Sequence, residues 1–294
     1  MVRISDVTSA LEQWAPNATQ QSYDNVGLQV GDDGVELSCA IIALDLTPAV
    51  IEEAIEKKAQ LIITHHPLIF RPQKSITTRD WNGSLILKLA QAGIALYCIH
   101  TNLDAAKDGV SFALAKQIGL KDIRFLKPFK DTLVKLVTFV PDSHFEAVRL
   151  ALAEAGAGKI GDYDDCAFVS EGTGYFSPNT STNPHIGKPD GSLTSTKEIR
   201  IETQVQQWQL SAVLRALHNA HPYEKVAYDV YPLQQSDTQV GMGAVGELDE
   251  PLSLDTFLSH TSKSLSTNGL RYVGERNAVI KRVAVCGGSG SDLI

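Results

Sequence analysis

Hydrophobic and polar positions between residues 39 and 99 follow two alternating patterns. Short apolar runs rich in β-branched residues predict three buried strands, at 39–44, 61–64 and 94–99. Between them, apolar residues at helical spacing predict one helix from about residue 48 and another from about residue 84. Strands that alternate with helices of this length form right-handed crossovers, so the pattern predicts a parallel sheet.

The segment before this alternation adds one helix and one strand. Residues 4–14 carry apolar side chains at helical spacing, which predicts an amphipathic helix, and residues 26–30 alternate as in a strand. Asp24 and Asn25 precede that strand. They either point towards a site or cap a turn, and their turn propensity favours the cap.

After about residue 128 the pattern changes to two consecutive strand–helix–strand units. The predicted elements are strands at 133–140, 166–169, 198–203 and 226–231, and helices at 143–155 and 205–220. Two such units in succession are typical of a ferredoxin-like domain, an antiparallel sheet with two helices on one face. Residues 177–195 are rich in Ser, Thr, Asn, Pro and Gly, which predicts an exposed loop.

The last part of the chain returns to strand and helix patterns. A strand is predicted at 241–248, a helix at about 253–265 and a strand at 278–286, followed by the glycine-rich turn 287–291. Such a turn can bind an anion through backbone amides if a helix begins next. Only three residues follow it here, so we expect the chain to be a fragment or a shortened product.

Together these patterns predict an α/β fold. A parallel or mixed sheet is sandwiched by helices, and a ferredoxin-like α+β domain is inserted into that layer arrangement. We expect residues 1–127 and 234–294 to form the discontinuous first domain, and residues 128–233 to form the insertion. The length of 294 residues fits two domains of ordinary size.

Composition narrows the class of protein. Hydrophobic residues make up 43% of the chain and charged residues 20%, as in ordinary globular proteins. No apolar run reaches the roughly 18 residues that a membrane span needs, and the N-terminus lacks a signal-peptide pattern, so we expect a cytoplasmic protein without membrane contacts. The net charge of -8 argues against a broad nucleic-acid surface. The four cysteines show no paired spacing and are expected to be reduced thiols.

Two adjacent histidines close the strand predicted at 61–64. His65 and His66 emerge from its carboxyl end, and Pro67 restricts the backbone of His66 to extended conformations, so the two imidazoles are held stiffly. Imidazole is the commonest metal-ligating side chain. The pair taken alone is equally explained as one capping histidine and one exposed histidine, because it lacks the spacing of a full ligand motif.

The predicted topology brings further polar residues towards this pair. Asp45 follows the first parallel strand, and His100 and Asp104 follow the third, all at carboxyl ends, where open α/β sheets bind ligands. Imidazoles with a carboxylate suit zinc, iron or manganese, so the topology favours a metal site. As alternatives, Asp45 and Asp104 could each supply negative charge to the start of the helix that follows it, and His100 could be a satisfied strand-end histidine.

Five short blocks of the chain stand out in order. They are YDNVGL at 23–28, ITHHPL at 63–68, HTNLDAA at 100–106, GEL at 246–248 and CGGSG at 286–290. In these blocks the chain resembles the GTP cyclohydrolase 1 type 2 homologs, also called Nif-three-like dinuclear metal centre hexameric proteins. Residues 128–233, with HPYEKVAYD at 221–229, are similar to the PII-like or CutA-like insertion of the longer family members.

The resemblance implies up to two divalent metal ions, with His65, His66 and Asp104 as ligands. It also implies residues that support those ligands or contact the substrate: His100, Asn102, Asp45 and Asn25. The family's C-terminal His-x-x-x-Glu block has no counterpart before Ile294, so we expect an incomplete ligand set, and no catalytic residue is assigned. The resemblance further implies a homohexamer.

Two functions are compatible with these features. The first is a metal-dependent hydrolase that acts on a nucleotide or another phosphorylated small molecule through metal-activated water. The second is a non-catalytic metal-binding scaffold or regulator, in which the inserted domain senses a ligand. Metal-dependent turnover that is lost on His65→Ala favours the first, and ligand binding confined to residues 128–233 favours the second.

Overall fold

The computed structural model describes residues 1–293. The chain divides into two compact units, Met1–Pro128 with Gln239–Ile294, and Phe129–Thr238. No helix in the described part of the chain combines the length and the apolar character needed to cross a bilayer.

The first unit contains a mixed four-stranded sheet. Its strands are β1 (Gly27–Val30), β2 (Ala40–Ala43), β3 (Leu61–Thr64) and β4 (Ala95–Cys98), in the spatial order β1-β4-β3-β2. Strands β2, β3 and β4 are parallel, and β1 is antiparallel to β4. Ala43 pairs with Thr64, and Thr64 with Cys98, so the three parallel strands end side by side. The chain segments that leave these strands therefore start from one edge of the sheet.

Helices cover both faces of this sheet, as predicted. They are α1 (Ile4–Trp14), α2 (Pro48–Glu56), α3 (Trp81–Ala92) and α4 (Thr101–Ala105), whereas α5 (Val110–Gln117) packs with Phe125, Ala244 and Leu248. Ile62 and Leu96 pack in one apolar cluster with residues of α2 and α3, whereas Ile63 and Tyr97 pack on the opposite face with residues of α1. Because strand side chains alternate between faces, the continuous apolar runs serve both layers.

Helix ends follow local chemistry. The Thr47 hydroxyl accepts from the Val50 N–H at the start of α2. Helix α3 begins at Trp81, before the predicted start, because the Asp80 carboxylate caps it by accepting from the Gly83 N–H. It ends at Gly93, whose φ of 66° is in the left-handed region that favours glycine.

A second sheet in this unit is antiparallel. Strand β5 (Lys121–Pro128) and strand β11 (Val279–Val285) flank the long strand β10 (Gly241–Ser253), and α8 (Leu254–Ser264) follows β10. Strand β5 was not predicted, because charged residues interrupt its two inward-facing positions, Ile123 and Phe125. Pairing with β10 stabilises β5 as a strand, although its local sequence pattern does not predict one.

The second unit has the ferredoxin-like arrangement that the sequence predicts. It consists of β6 (Leu133–Pro141), α6 (Phe145–Glu154), β7 (Ala167–Phe176), β8 (Thr194–Gln206), α7 (Leu210–Ala220) and β9 (Tyr228–Pro232). The sheet is antiparallel with the order β7-β8-β6-β9. Leu136, Ile201 and Val205 pack against residues of both helices. Helix α7 starts later than predicted, because β8 continues through Gln206 in register with β6.

Candidate metal centre

The two histidines after β3 and the histidine after β4 form one cluster. The backbone N–H groups of His65 and His66 donate to the carbonyls of Ala43 and Leu44 over 3.2 and 3.0 Å, which fixes the chain beyond β3 against the chain beyond β2. The ring centroids of His65, His66 and His100 lie 5.1 to 5.5 Å apart. Each ring offers one nitrogen, and these nitrogens lie within 4.8 Å of one another. Such a cluster could hold a metal ion.

Each of the three imidazoles uses Nδ1 for a hydrogen bond to an oxygen. The partners are the Ile99 carbonyl at 2.9 Å for His65, Asp45 Oδ1 at 2.7 Å for His66 and Asp24 Oδ1 at 2.9 Å for His100. Carbonyl and carboxylate oxygens only accept, so Nδ1 carries the proton in each ring, and Nε2 keeps its lone pair. Metal-ligating histidines are generally held in this way by an oxygen acceptor behind the ring.

Asp24 lies behind His100, although the sequence favoured a turn role for it. Its side chain is fully buried, its Oδ2 accepts from both the N–H and the hydroxyl of Thr101, and its Oδ1 accepts from the Asn25 N–H over 2.8 Å. Burial raises the pKa of Asp24, but the hydrogen bonds from His100, Thr101 and Asn25 outweigh it and lower the pKa below its usual 3.8. An ionised carboxylate therefore lies behind His100. The signals in the sequence were its place just before β1 and its membership of the 23–28 block.

Asp45 performs the corresponding role for His66 in a more open setting. The His66 and Asp45 side chains are 46% and 57% exposed, whereas His65 and His100 are each 19% exposed. Because Thr47 already caps α2, the orientation of Asp45 is explained by His66 and not by the helix. The cluster thus has a buried side and a side open to solvent at His66.

Asp104 brings a carboxylate to the same cluster. Its Oδ1 lies 3.8 Å from His65 Nε2, is buried, and has no hydrogen-bond partner within the described residues. Burial raises the pKa of Asp104, and the neighbouring His65 and His100 imidazoles only partly offset this. A buried carboxylate oxygen without a donor is costly unless a cation compensates it. No acidic residue lies in the first turn of α5, and Asp104 Oδ1 makes no hydrogen bond within the described residues, so no contact supports the helix-charge alternative.

The two predicted asparagines hold different backbone segments near the histidines. The Asn102 side chain is fully buried; its Oδ1 accepts from the His100 N–H over 2.9 Å, and its Nδ2 donates to the Ala15 carbonyl. Asn102 therefore fixes the backbone of His100. The Asn25 side chain instead donates to the Ile69 carbonyl over 2.6 Å, so it holds the segment that follows His66.

The glycine-rich segment after β11 lies against this cluster. A Cβ atom on Gly287 would lie 2.7 Å from Val110 Cγ1 and 3.2 Å from Asp104 Oδ1, so only glycine fits there without displacement. The segment thus faces a carboxylate, and the Gly287 N–H donates to the Ser111 hydroxyl over 3.2 Å. A cavity of about 230 Å³ lies between this segment, His100 and Asp104.

The donor atoms in this cluster suit one class of metal ion. Imidazole nitrogens and one carboxylate oxygen suit zinc, iron or manganese better than magnesium or calcium, which prefer oxygen ligands. The unpartnered Asp104 oxygen and the three fixed Nε2 lone pairs fit a divalent cation.

Comparisons with known proteins match one family over nearly the whole chain. The family model for Duf34/NIF3 (NGG1p interacting factor 3) matches residues 2–294. A GTP cyclohydrolase 1 type 2 homolog of Halalkalibacterium halodurans is 42% identical over 286 residues, which cover 97% of this chain and 77% of that protein. The homolog of Bacillus subtilis is 42% identical over 289 residues, which cover 98% of this chain and 77% of that protein.

Solved structures give the same result. A Bacillus cereus protein related to NIF3 superposes with a TM-score of 0.82 at 41% identity, over 98% of this chain and 77% of that chain. A Staphylococcus aureus protein superposes with a TM-score of 0.71 at 34% identity, over 99% of this chain and 76% of that chain. The family resemblance that the short sequence blocks predicted is thereby confirmed, and this chain belongs to the Duf34/NIF3 family.

Proposed function

We propose that this chain binds divalent metal at the histidine cluster and is a metal-dependent hydrolase of a nucleotide or another phosphorylated small molecule. The observation that carries the proposal is the shared hydrogen-bonding pattern of three imidazoles, each with Nδ1 bonded to an oxygen and Nε2 left free. We assign His65, His66 and Asp104 as ligands, and His100 as a further nitrogen donor, because its nitrogen belongs to the same group.

A divalent cation held there would lower the pKa of water and stabilise the negative charge that develops during hydrolysis. The residues of the chain prepare the site for this chemistry. Asp24 and Asp45 retain the Nδ1 protons of His100 and His66, so that both rings keep one tautomer. The exposed side at His66 gives a substrate access, while the buried side at Asp104 keeps the donors away from competing water.

The first experiment measures metal per chain by elemental mass spectrometry, on protein purified without added metal. His66→Ala is expected to lose most of the bound metal, and His218→Ala, an exposed histidine of the second unit, is the matched control. Release of inorganic phosphate from nucleoside mono- and triphosphates then tests hydrolysis. If His66→Ala binds as much metal as the unaltered chain, the proposed metal site is refuted. If the chain binds metal but releases phosphate from no nucleotide, the proposed hydrolase is refuted.

A metal-binding regulator is the second candidate function. It is supported by the second unit, which we propose to be an inserted domain. In this unit the 177–193 loop contacts the segment after α7. The Asn183 N–H donates to the Glu224 carboxylate, and the His185 ring lies 6.1 Å from the Tyr223 ring. Saturable ligand binding that perturbs only residues 129–238, without turnover, would favour this function.

We further propose that the chain forms a homo-oligomer, with a hexamer as the expectation from the family resemblance. Support comes from β2, an edge strand of the mixed sheet, where Ile42 is 81% exposed and Leu44 is 61% exposed. Exposed apolar side chains on an unpaired edge commonly mark an association surface. Light scattering coupled to size exclusion would measure the mass, and Ile42→Lys is expected to lower it if this edge takes part.

A further inference from the structure

The cavity beside the histidine cluster has walls of a distinct chemistry. It has a volume of about 230 Å³ and lies within the first unit, where its wall includes the Tyr23 ring, the Met242 thioether and the Cys286 thiol. His100 and Asp104 form the side that adjoins the proposed metal ligands. We infer that this cavity binds an uncharged aromatic or heteroaromatic ring of the substrate, and this names the substrate class of the proposed hydrolase.

The charges around the cavity favour a neutral group. None of the residues that line it, all of which belong to the described part of the chain, is Lys or Arg. The charged group in its wall is the Asp104 carboxylate, and Asp24 lies directly behind His100. In metal-free protein, an anion placed there would face negative charge without a cationic side chain to compensate it, which is unfavourable. In metal-loaded protein, a phosphate group of the substrate would be attracted to the cation at the histidines, which leaves the cavity to an uncharged part of the substrate.

The size of the cavity limits what enters. Its volume is about 230 Å³. Pockets that enclose a drug-sized ligand have volumes of about 300–1,000 Å³. The cavity therefore suits a single ring or a small fused ring, and not a complete nucleotide.

The wall residues suit a flat ring better than an alkyl chain. Tyr23 is 63% exposed although its ring is large and mostly apolar, and its edge contacts Phe70 with the centroids 6.3 Å apart. Met242 is also part of the cavity wall, and its sulfur accepts from Gln21 Nε2 over 3.6 Å. Aromatic faces and thioether sulfur both bind aromatic rings favourably. Gln21 and Ser289 add polar groups at the wall that can pair with ring nitrogens or carbonyls.

The inference rests on the proposed function only in calling the bound ring part of a substrate. Ring binding itself does not need metal, so the test uses metal-free protein. Nicotinamide and nicotinate share one ring and differ by one negative charge, which makes them a matched pair of probes. Both are titrated into the EDTA-treated full chain, and backbone amide shifts are followed by NMR. We expect nicotinamide to bind in the millimolar range with shifts at Gln21, Tyr23 and Gly288, and nicotinate to bind about tenfold more weakly.

Variants of the wall give the second arm of the test. Tyr23→Ala is expected to weaken nicotinamide binding about tenfold, the upper range for one aromatic pair, and Met242→Ala to weaken it less. Tyr272→Ala, an exposed tyrosine of the same unit outside this wall, is the control and should leave binding unchanged. Either result on metal-free protein is independent of whether the histidines bind metal.

Four outcomes would overturn the inference. They are nicotinate binding as tightly as nicotinamide, shifts that map away from the cavity, binding that neither Tyr23→Ala nor Met242→Ala weakens, and no binding of either probe. Failure of metal binding with intact nicotinamide binding would instead refute only the proposed hydrolase.

Discussion

Each unit of this protein contains a group of three neighbouring histidines, and the two groups use their nitrogens differently. In the first unit, His65, His66 and His100 each engage Nδ1 with an oxygen, so three Nε2 atoms remain for a ligand. In the second unit, the rings of His144 and His185 lie 5.3 Å apart, and the Tyr223 ring contacts those of His185 and His221 at centroid distances of 6.1 and 4.8 Å.

His221 shows why proximity of imidazoles does not by itself make a metal site. Its Nε2 lies 2.9 Å from the Phe139 carbonyl, and its Nδ1 accepts from the Tyr223 N–H over 3.1 Å, so both nitrogens are used inside the protein. The second group also lacks a buried carboxylate oxygen like Asp104 Oδ1 among the unpartnered atoms of the described residues. The comparison teaches that the atoms behind each ring, more than the number of rings, distinguish a ligand from a structural histidine.

The strongest test of this contrast removes one ring from each group. His65→Ala is expected to lower zinc affinity at least about 100-fold, because loss of a supporting partner alone costs about 10–100-fold. His221→Ala is expected to leave zinc affinity unchanged, since its nitrogens are already bonded. Competition with a chelator of known affinity measures both, and circular dichroism checks the fold. Equal losses in the two variants would contradict the distinction between the groups.

The next test removes the acceptor behind a ring while keeping the ring. Asp24→Asn is expected to lower zinc affinity about 10–100-fold, because an amide can donate to His100 Nδ1 and move the ring proton to Nε2. Asp45→Asn should have a smaller effect, about tenfold or less, because that carboxylate is 57% exposed and the Asp24 side chain is fully buried.

Chelator competition gives the affinities for this pair of variants, and nitrogen-detected NMR of the imidazoles gives the tautomers. The expected signature is a changed tautomer at His100 in Asp24→Asn, with His65 unaffected because its Nδ1 partner is the Ile99 carbonyl. Retention of both affinity and tautomer in Asp24→Asn would show that the acceptor behind His100 does not prepare it as a ligand.

The sequence was sufficient for the main features of the fold. Apolar runs predicted β3 and β4, and repeated strand and helix periods predicted the ferredoxin-like unit, because both features are local patterns. Strand β5 was missed because its order comes from pairing with β10, more than 100 residues away in the chain. The late start of α7 has the same cause, since long-range pairing extends β8 into the predicted helix.

The candidate site was predictable only in part. Adjacent histidines and the topology rule for parallel strands indicated His65, His66, His100 and Asp104, because those residues follow neighbouring strand ends. Asp24 could not be selected in the same way. It reaches His100 across 76 positions in the chain, and its local sequence looks like an ordinary turn.

The third prediction concerns pH and the second group. Burial lowers the pKa of His221 below 6.5, and the nearby His144 and His218 add to this, while the Phe139 carbonyl opposes it. The folded state therefore binds the proton less well than the unfolded state. Stability of this unit is complete above about pH 6.5 and is lost as the pH falls below it, by up to about 1.4 kcal/mol per pH unit.

Hydrogen exchange of the α7 amides between pH 7.5 and 5, corrected for intrinsic rates, measures this loss. His221→Gln is the matched variant, because glutamine can donate to the Phe139 carbonyl and accept from the Tyr223 N–H without titrating. It should flatten the pH dependence. Protection in α7 that stays constant on acidification of the unaltered protein would show that His221 protonates as easily when folded as when unfolded.

The smallest expected effect concerns His185, the most exposed member of the second group. Its ring contacts His144 and Tyr223 at centroid distances of 5.3 and 6.1 Å, and substitution of an exposed side chain usually changes stability within about 0.5 kcal/mol. His185→Ala should therefore leave both chemical denaturation and metal per chain nearly unchanged. If it instead removes a measurable fraction of bound metal, the second group also binds metal, and free nitrogens on a surface loop would then be sufficient without buried oxygen acceptors behind the rings.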